Sequence, residues 1–382
     1  MGNIISAIFD FYVRLRDRPS TVAHLETDSV VSLLITSLLF TKPIPPPLSA
    51  TEFAGKTALV TGSNTGLGLE SSRQLLQHGL SHLIMGVRSL EKGESAAELL
   101  RKEFPGRKIT VARLDMADFQ SVEEFAQELE RGKEKVDKLD MAILNIGMLQ
   151  PKFLLTRDRH EEVFQVNYLA TALLAILLLP LLKSAAKNNE GNRPGRLTIV
   201  SSTMGLVAKF TERKEESVLR ALDTKTAGRE WTLEDTGERY SVTKMLQMYL
   251  TKKLGEATDR EEVVVNCVDP SWVGKTGLNS PMPFFVKVIN FFVGVLMGRT
   301  VKQGGWAYLD AVAVKGPESH GRLVRDWEVG TYHPMIDTEE GGKILEGLWE
   351  ETLDELEFAG VRRILDGGKA GGKGQGQVRG ET

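Results

Sequence analysis

Tyr240 and Lys244 stand four residues apart at the start of a helical pattern, which puts both side chains on one face. A phenol ordinarily titrates at about 10. A neighbouring lysine ammonium favours the phenolate and lowers that value. Such a tyrosine can trade a proton with a carbonyl or alcohol oxygen near neutral pH. Taken alone, the four-residue pair is a common coincidence. A second group lies upstream. Thr61-Gly62-Ser63-Asn64-Thr65-Gly66-Leu67-Gly68 closes a β-rich run and opens a helical one. Glycines there permit a tight turn, close approach of backbone amides to a pyrophosphate, and tight helix–sheet packing. The helix start adds unpaired N–H groups and a positive dipole end. Farther on, Gly86-Val87-Arg88 with Lys92 one helical turn later offers two cations and no acid. An acid at that place would accept the ribose 2′-hydroxyl of NAD; two cations suit a 2′-phosphate instead, so NADP(H) is expected.

These residues need a scaffold, and the pattern supplies one. Candidate strands are Thr57–Thr61, His82–Val87, Ile109–Leu114, Met141–Leu144, Leu197–Ser201 and Val263–Val268. Candidate helices at Leu67–Gln77, Ser89–Glu103, Phe119–Gly132, His160–Lys187 and Tyr240–Glu256 separate them. The alternation predicts βαβ units: an α/β fold with a single doubly wound parallel sheet, Rossmann-type, and helices on both faces. Ligands of such sheets sit at the carboxyl ends of the strands. Asp115, Asn145 and Ser201-Ser202 fall at those ends, and Asn167 lies in the long helix after the fourth strand. Each has a plain reading as a cap or a turn, but together they follow the order a nicotinamide site needs.

The whole set resembles the short-chain dehydrogenase/reductase family from about residue 55 to 350, about three quarters of the chain. The matching pieces are residues 61–68, Leu114-Asp115, Asn145-Ile146-Gly147, Asn167, Ser202, Tyr240-x-x-x-Lys244 and the Pro270 segment. Within the family the chain is similar to retinol-dehydrogenase-like members and to fungal reductases of secondary metabolism. The second likeness rests on residues 64–70, on Lys209-Phe210-x-x-Arg213-Lys214 and on residues 239–244. The resemblance implies that Tyr240 is the general acid or base, that Lys244 lowers its pKa and holds the nicotinamide ribose, and that Ser202 bonds the reacting oxygen. It implies that Asn167 helps a relay water, that Asp115 meets the adenine, that Asn145 lines the cofactor cleft, and that backbone near Val273 and Thr276 touches the nicotinamide end. Two positions depart from the family pattern: Ile146 replaces an alanine and Ser271 a glycine.

Composition sets the outer limits. The chain has 382 residues, 41% hydrophobic and 26% charged, with 48 basic and 51 acidic side chains and a net charge of −3. Neither a disordered chain nor a multi-span membrane protein fits, and no nucleic-acid partner is expected. One cysteine, Cys267, excludes an internal disulfide and a cysteine-cluster metal site, and suits a cytoplasmic, reducing location. Gly274-Lys275-Thr276 looks like the end of a nucleotide P-loop, but the glycine that motif needs first is Asp269.

Residues 1–50 read as a helical extension with a proline-rich linker. They open on an N-myristoylation pattern at Gly2; packing over the main domain is the favoured reading, peripheral membrane attachment the other. Residues 51–360 form the catalytic domain. Its insertion, 203–239, carries a helical pattern at Glu212–Leu222, and its apolar segment, 279–300, reads as a flap over a lipophilic substrate. Residues 361–382 read as a disordered tail. Leu169–Leu182 reads as a buried or subunit-interface helix, so the long helices either pair across a two-fold axis into a homodimer or are covered by the N-terminal extension. The expected activity is interconversion of a ketone or aldehyde and an alcohol on a lipophilic small molecule. The competing readings are a retinol or lipid dehydrogenase, an NAD-dependent enzyme, and a non-catalytic NADP sensor or scaffold.

Overall fold

A computed structural model describes residues 41–188, 193–224, 230–274 and 298–367, together with Ser37, Leu278, Met282 and Pro283. Outside them lie the Gly2 pattern, both N-terminal apolar runs apart from Ser37, Thr276, nearly all of the expected flap, and residues 368–382.

The chain runs β1 (Thr57–Thr61), α1 (Gly66–Gln77), β2 (His82–Val87), α2 (Leu90–Glu103), β3 (Lys108–Arg113), α3 (Phe119–Arg131) and β4 (Met141–Leu144). A short turn, Glu162–Phe164, and a π-helical segment, Gln165–Leu169, lead into α4 (Ala170–Asn188). Then follow β5 (Gly195–Val200), α5 (Val218–Thr224), α6 (Leu233–Glu256), β6 (Val263–Asp269), α7 (Val301–Leu309), β7 (Arg322–Arg325), β8 (Glu328–Gly330), α8 (Glu339–Glu355) and α9 (Val361–Leu365). The described strands form one sheet in the order β3-β2-β1-β4-β5-β6-β7-β8, parallel except for the final β7–β8 hairpin. Strand order reverses between β1 and β4, which opens a crevice at their carboxyl ends.

Alternating strand residues feed two cores, as a sheet buried on both faces requires. Ala58, Val60, Met141 and Ile143 pack with α1, α2 and α7; Leu59, Ala142 and Leu144 pack with α3, α4 and α6. The continuous helical stretch Glu162–Lys187, which includes most of α4, is apolar and long enough to cross a membrane, but it is mostly buried within the domain. Its outer side and that of α6 are covered by α8 and α9 of the same chain: Leu345, Leu348, Trp349, Leu353, Val361 and Ile364 complete that core. The surface that pairing of the long helices would need is thereby taken.

Several expectations need correction. α6 begins at Leu233, so Tyr240 lies two turns inside the helix rather than at its start, and residues 233–239 belong to α6 rather than to the insertion. Thr232 caps it in a reciprocal box with Asp235. The pattern at Glu212–Leu222 is split into a 3-10 turn, Thr211–Lys214, and α5. The tail begins later than residue 361, because α9 buries Val361 and Ile364.

Candidate active site

The turn after β1 is built for close approach. Gly62 has φ +65, and its neighbours explain why it carries no side chain: a Cβ there would come 3.0 Å from Asn145 Nδ2 and 3.1 Å from Ile146 Cγ1. The Ile146 side chain is thus accommodated against the bare side of Gly62. At Gly68 a Cβ would come 2.4 Å from the Gly62 carbonyl oxygen. At Gly66, φ +57, it would meet nothing, so that flank is open. Ser63 Oγ is buried with no hydrogen-bond partner. Thr65 caps α1 without engaging its side chain, and Asn64 lies in the turn itself. An open, amide-lined cradle with an unanswered buried hydroxyl at a helix start fits an anionic diphosphate. Leu67 faces Val273 across Gly304, where a Cβ would strike both side chains. Val273 therefore sits beside the turn.

Asn145 staples β4 to β1. Its amide N–H donates to Thr61 Oγ1 at 2.9 Å, its Nδ2 donates to the Thr61 carbonyl at 2.9 Å, and its Oδ1 accepts from Tyr308 at 2.9 Å. Tyr308, on α7, was not readable as a site residue, because only the tertiary packing of α7 brings it there. Asp115 lies just past β3; its Oδ1 accepts from the Ala117 amide. Arg88, directly after β2, and Lys92, in the first turn of α2, are exposed and have no side-chain partner among the described residues. Arg113, at the end of β3 in register with Val87, is a third exposed cation at this edge.

Ser202, Tyr240 and Lys244 converge at the β5–β6 ends. Ser202 follows β5, and its hydroxyl favours the Tyr240 phenolate against the larger effect of burial. Lys244 Nζ lies 5.5 Å from the Tyr240 ring centre, and donates to the Val200 carbonyl at 2.7 Å and to Gln247 Oε1 at 2.9 Å. At Gly147 a Cβ would come 3.2 Å from that Nζ, so the glycine gives the ammonium room. Burial dominates both ionisations: it raises Tyr240 well above the usual phenol range and lowers Lys244 to about 7, against the opposing charges of Asp269 and Cys267. These residues alone therefore do not produce the lowered Tyr240 pKa expected from its lysine neighbour.

Asn167 lies in the π-helical segment, and its side chain makes three hydrogen bonds within the protein. Oδ1 accepts from the Met148 amide at 2.8 Å; Nδ2 donates to the Met148 carbonyl and to Thr243 Oγ1, each at 3.0 Å. It ties the β4 exit to α6.

Asp269 closes the floor. Buried, it accepts from Thr203 Oγ1 and, at 2.9 Å, from the Ser271 amide. Burial pushes its carboxyl up. Ser271 has φ +63, the left-handed conformation expected of a glycine, at a cost of about 1–2 kcal/mol.

Arg239, next to Tyr240, is buried between Glu161 (3.6 Å) and Glu212 (3.7 Å). Glu161 also accepts the Val163 and Phe164 amides, yet burial carries it up to about 7. This clamp fixes the insertion onto α6, as do the bonds from the Lys209 and Phe210 amides to Glu238.

The short chain dehydrogenase family profile matches residues 56–212. Short chain dehydrogenase/reductase mfmJ of Annulohypoxylon moriforme is 42% identical over 326 residues, spanning 85% of this chain and 91% of the relative. Short chain dehydrogenase virL of Hypocrea virens is 39% identical over 328 residues, spanning 86% and 92%. Among solved structures, the NADPH-bound carbonyl reductase from chicken fatty liver shares the fold at a TM-score of 0.53 and 21% identity, covering 78% of this chain and 99% of that one. Homology over most of both chains, with the turn and the Ser–Tyr–Lys group in place, means that this chain belongs to the short-chain dehydrogenase/reductase family of oxidoreductases.

Proposed function

We propose that the protein is an NADP(H)-dependent oxidoreductase interconverting a ketone or aldehyde and an alcohol on a lipophilic small molecule. The convergence of Ser202, Tyr240 and Lys244 beside the glycine turn carries this reading. Gly62, Ser63, Asn64, Gly66, Leu67 and Gly68 would hold the diphosphate, Arg88 and Lys92 the 2′-phosphate, Asp115 the adenine end, and Asn145, Val273 and Thr276 the nicotinamide end. The bound nicotinamide supplies or accepts the hydride. In reduction, the Tyr240 hydroxyl gives its proton to the substrate oxygen as negative charge builds there. The Ser202 hydroxyl donates to the same oxygen and stabilises that charge. The buried Lys244 side chain keeps a donor next to Tyr240 and the ribose.

An apolar patch on the segment after β4 and at the start of α6 favours a lipophilic substrate. Phe153 and Trp231 rings meet at 5.5 Å, and Leu154, Leu155 and Leu233 stay exposed around them. A fungal secondary-metabolite ketone or aldehyde is the substrate class we favour. Ser37 Oγ bonds Ser271 at 2.9 Å and Asp326 at 2.6 Å, which supports packing of the N-terminal extension on the domain.

The test is Tyr240→Phe, assayed with NADPH and a panel of lipophilic ketones and aldehydes. Turnover should fall roughly 100- to 10,000-fold while NADPH binding, followed by fluorescence, stays within about twofold. A variant with full turnover would refute the mechanism.

A further inference from the structure

Gln247 has no solvent exposure and uses both ends of its side-chain amide. Its Oε1 accepts from Lys244 Nζ at 2.9 Å, and its Nε2 donates to the Asn167 main-chain carbonyl at 2.6 Å. That carbonyl lies in the π-helical segment, where the wider turn loosens the main-chain ladder and frees carbonyls for other donors. Gln247 stands three residues after Lys244, on the same side of α6. The Val200 carbonyl holds the lysine from β5; Gln247 holds it from its own helix and anchors that hold on the helix packed opposite.

We propose that Gln247 is a positioning residue for Lys244: its amide spans the gap between the ammonium and the Asn167 carbonyl, the place a relay water would need. The proposal rests on the oxidoreductase reading above and adds two things to it. Two of the three N–H bonds of the ammonium are directed by neutral protein acceptors, so the third is left for Tyr240 and the ribose. The bridge also stops a proton relay at Lys244, short of Asn167, because a side-chain amide neither releases nor takes up a proton near neutral pH. Losing the Gln247 acceptor removes a hydrogen bond to the charged form of a buried lysine, and that favours the neutral form. Among the described residues, the other ionisable groups around the lysine are Asp269 and Cys267, from β6, and Tyr240, from α6.

Gln247→Met keeps the length of the side chain and deletes both hydrogen bonds; Gln247→Glu keeps an acceptor and adds a charge. The first readout needs no nucleotide or substrate: the Lys244 side chain, labelled with 13C and assigned by its loss in Lys244→Ala, is titrated by NMR. The expected result is a downward shift of about one pH unit in Gln247→Met and an upward shift in Gln247→Glu. The second readout is steady-state kinetics with NADPH. Gln247→Met should lower kcat about tenfold with the carbonyl KM within about twofold, and Gln247→Glu should restore kcat with its pH profile displaced in the direction of the NMR shift. A Lys244 titration that stays put in both variants overturns the proposal. If the titration moves as expected but wild-type protein reduces no carbonyl, the positioning of Lys244 stands and the assigned reaction falls.

Discussion

In the proposed function Arg88 carries the choice between the two nicotinamide nucleotides, and its surroundings set how large its effect should be. It is exposed at the end of β2, with Lys92 one turn on and Arg113 at the end of the neighbouring strand. Three cations share the task, so removing one weakens the site without erasing it. Arg88→Asp should raise the NADPH Kd roughly 10- to 100-fold, the worth of one or two charge-assisted hydrogen bonds plus a repulsive carboxylate. NADH affinity should hold or improve. Parallel fluorescence titrations check this, and an unchanged NADPH preference would remove Arg88 from the site. At this scale the sequence was readable where chemistry is local: Tyr240 and Lys244 share a helix, and the glycines share one turn. It was silent where a residue acts through distant partners. Asn167 has the look of a site residue, yet its side chain spends its hydrogen bonds on Met148 and Thr243. Tyr308 looks like a core aromatic, yet it reaches Asn145.

At the scale of elements, His160 joins three parts that the sequence keeps far apart. Its Nδ1 lies 2.7 Å from Asp223 at the end of α5, and its Nε2 lies 3.2 Å from Glu355 at the end of α8. Burial pulls the imidazole toward neutrality, but the two carboxylates outweigh it and carry the pKa up to about 9. A group whose folded pKa is raised stabilises the fold fully below its unfolded value, about 6.5, and loses that contribution as pH rises through about 9. The shift corresponds to roughly 2 kcal/mol once the half-exposed Glu355 is discounted for solvent screening. Lys244, with its lowered pKa, works in the opposite direction as pH rises above about 7. The comparison must therefore be wild type against His160→Gln by denaturant unfolding. The stability difference should be largest at pH 6 and should vanish near pH 10; a constant difference would mean that the ion pairs contribute nothing. None of this clamp was visible beforehand. The start of α6 was, in principle: Thr232 and Asp235 are spaced as a helix cap, and Thr300 and Gln303 mark α7 the same way. β7 had no such signal, because Arg322-Leu323-Val324-Arg325 is a short run with a charge at each end, and it becomes a strand by pairing with β6.

For the molecule as a whole, the decisive feature is what covers the long helices. α4 is apolar almost all round and α6 is buried along its middle, a pattern that serves a subunit interface and a private core equally well. The sequence left both open because the answer lies in α8 and α9, beyond every recognised motif. Leu348 and Trp349 seat α8 in the core, Tyr168 meets Thr352 at 3.1 Å, and Lys253 reaches Glu346 at 2.9 Å on the rim. A second copy could reach α4 and α6 only by displacing that cap. The protein should therefore sediment as a single chain of 42.2 kDa, or as an oligomer joined elsewhere. Leu348→Asp forces a carboxylate into a fully buried site, which costs several kcal/mol unless the cap lifts. Lifting it bares α4 and α6, so this variant should self-associate and bind a hydrophobic dye. Leu348→Ala, which leaves a cavity worth about 2–5 kcal/mol, should lose stability and keep the wild-type mass. Cross-links between two copies through α4 or α6 of the wild-type protein would show that the cap does not hold in solution.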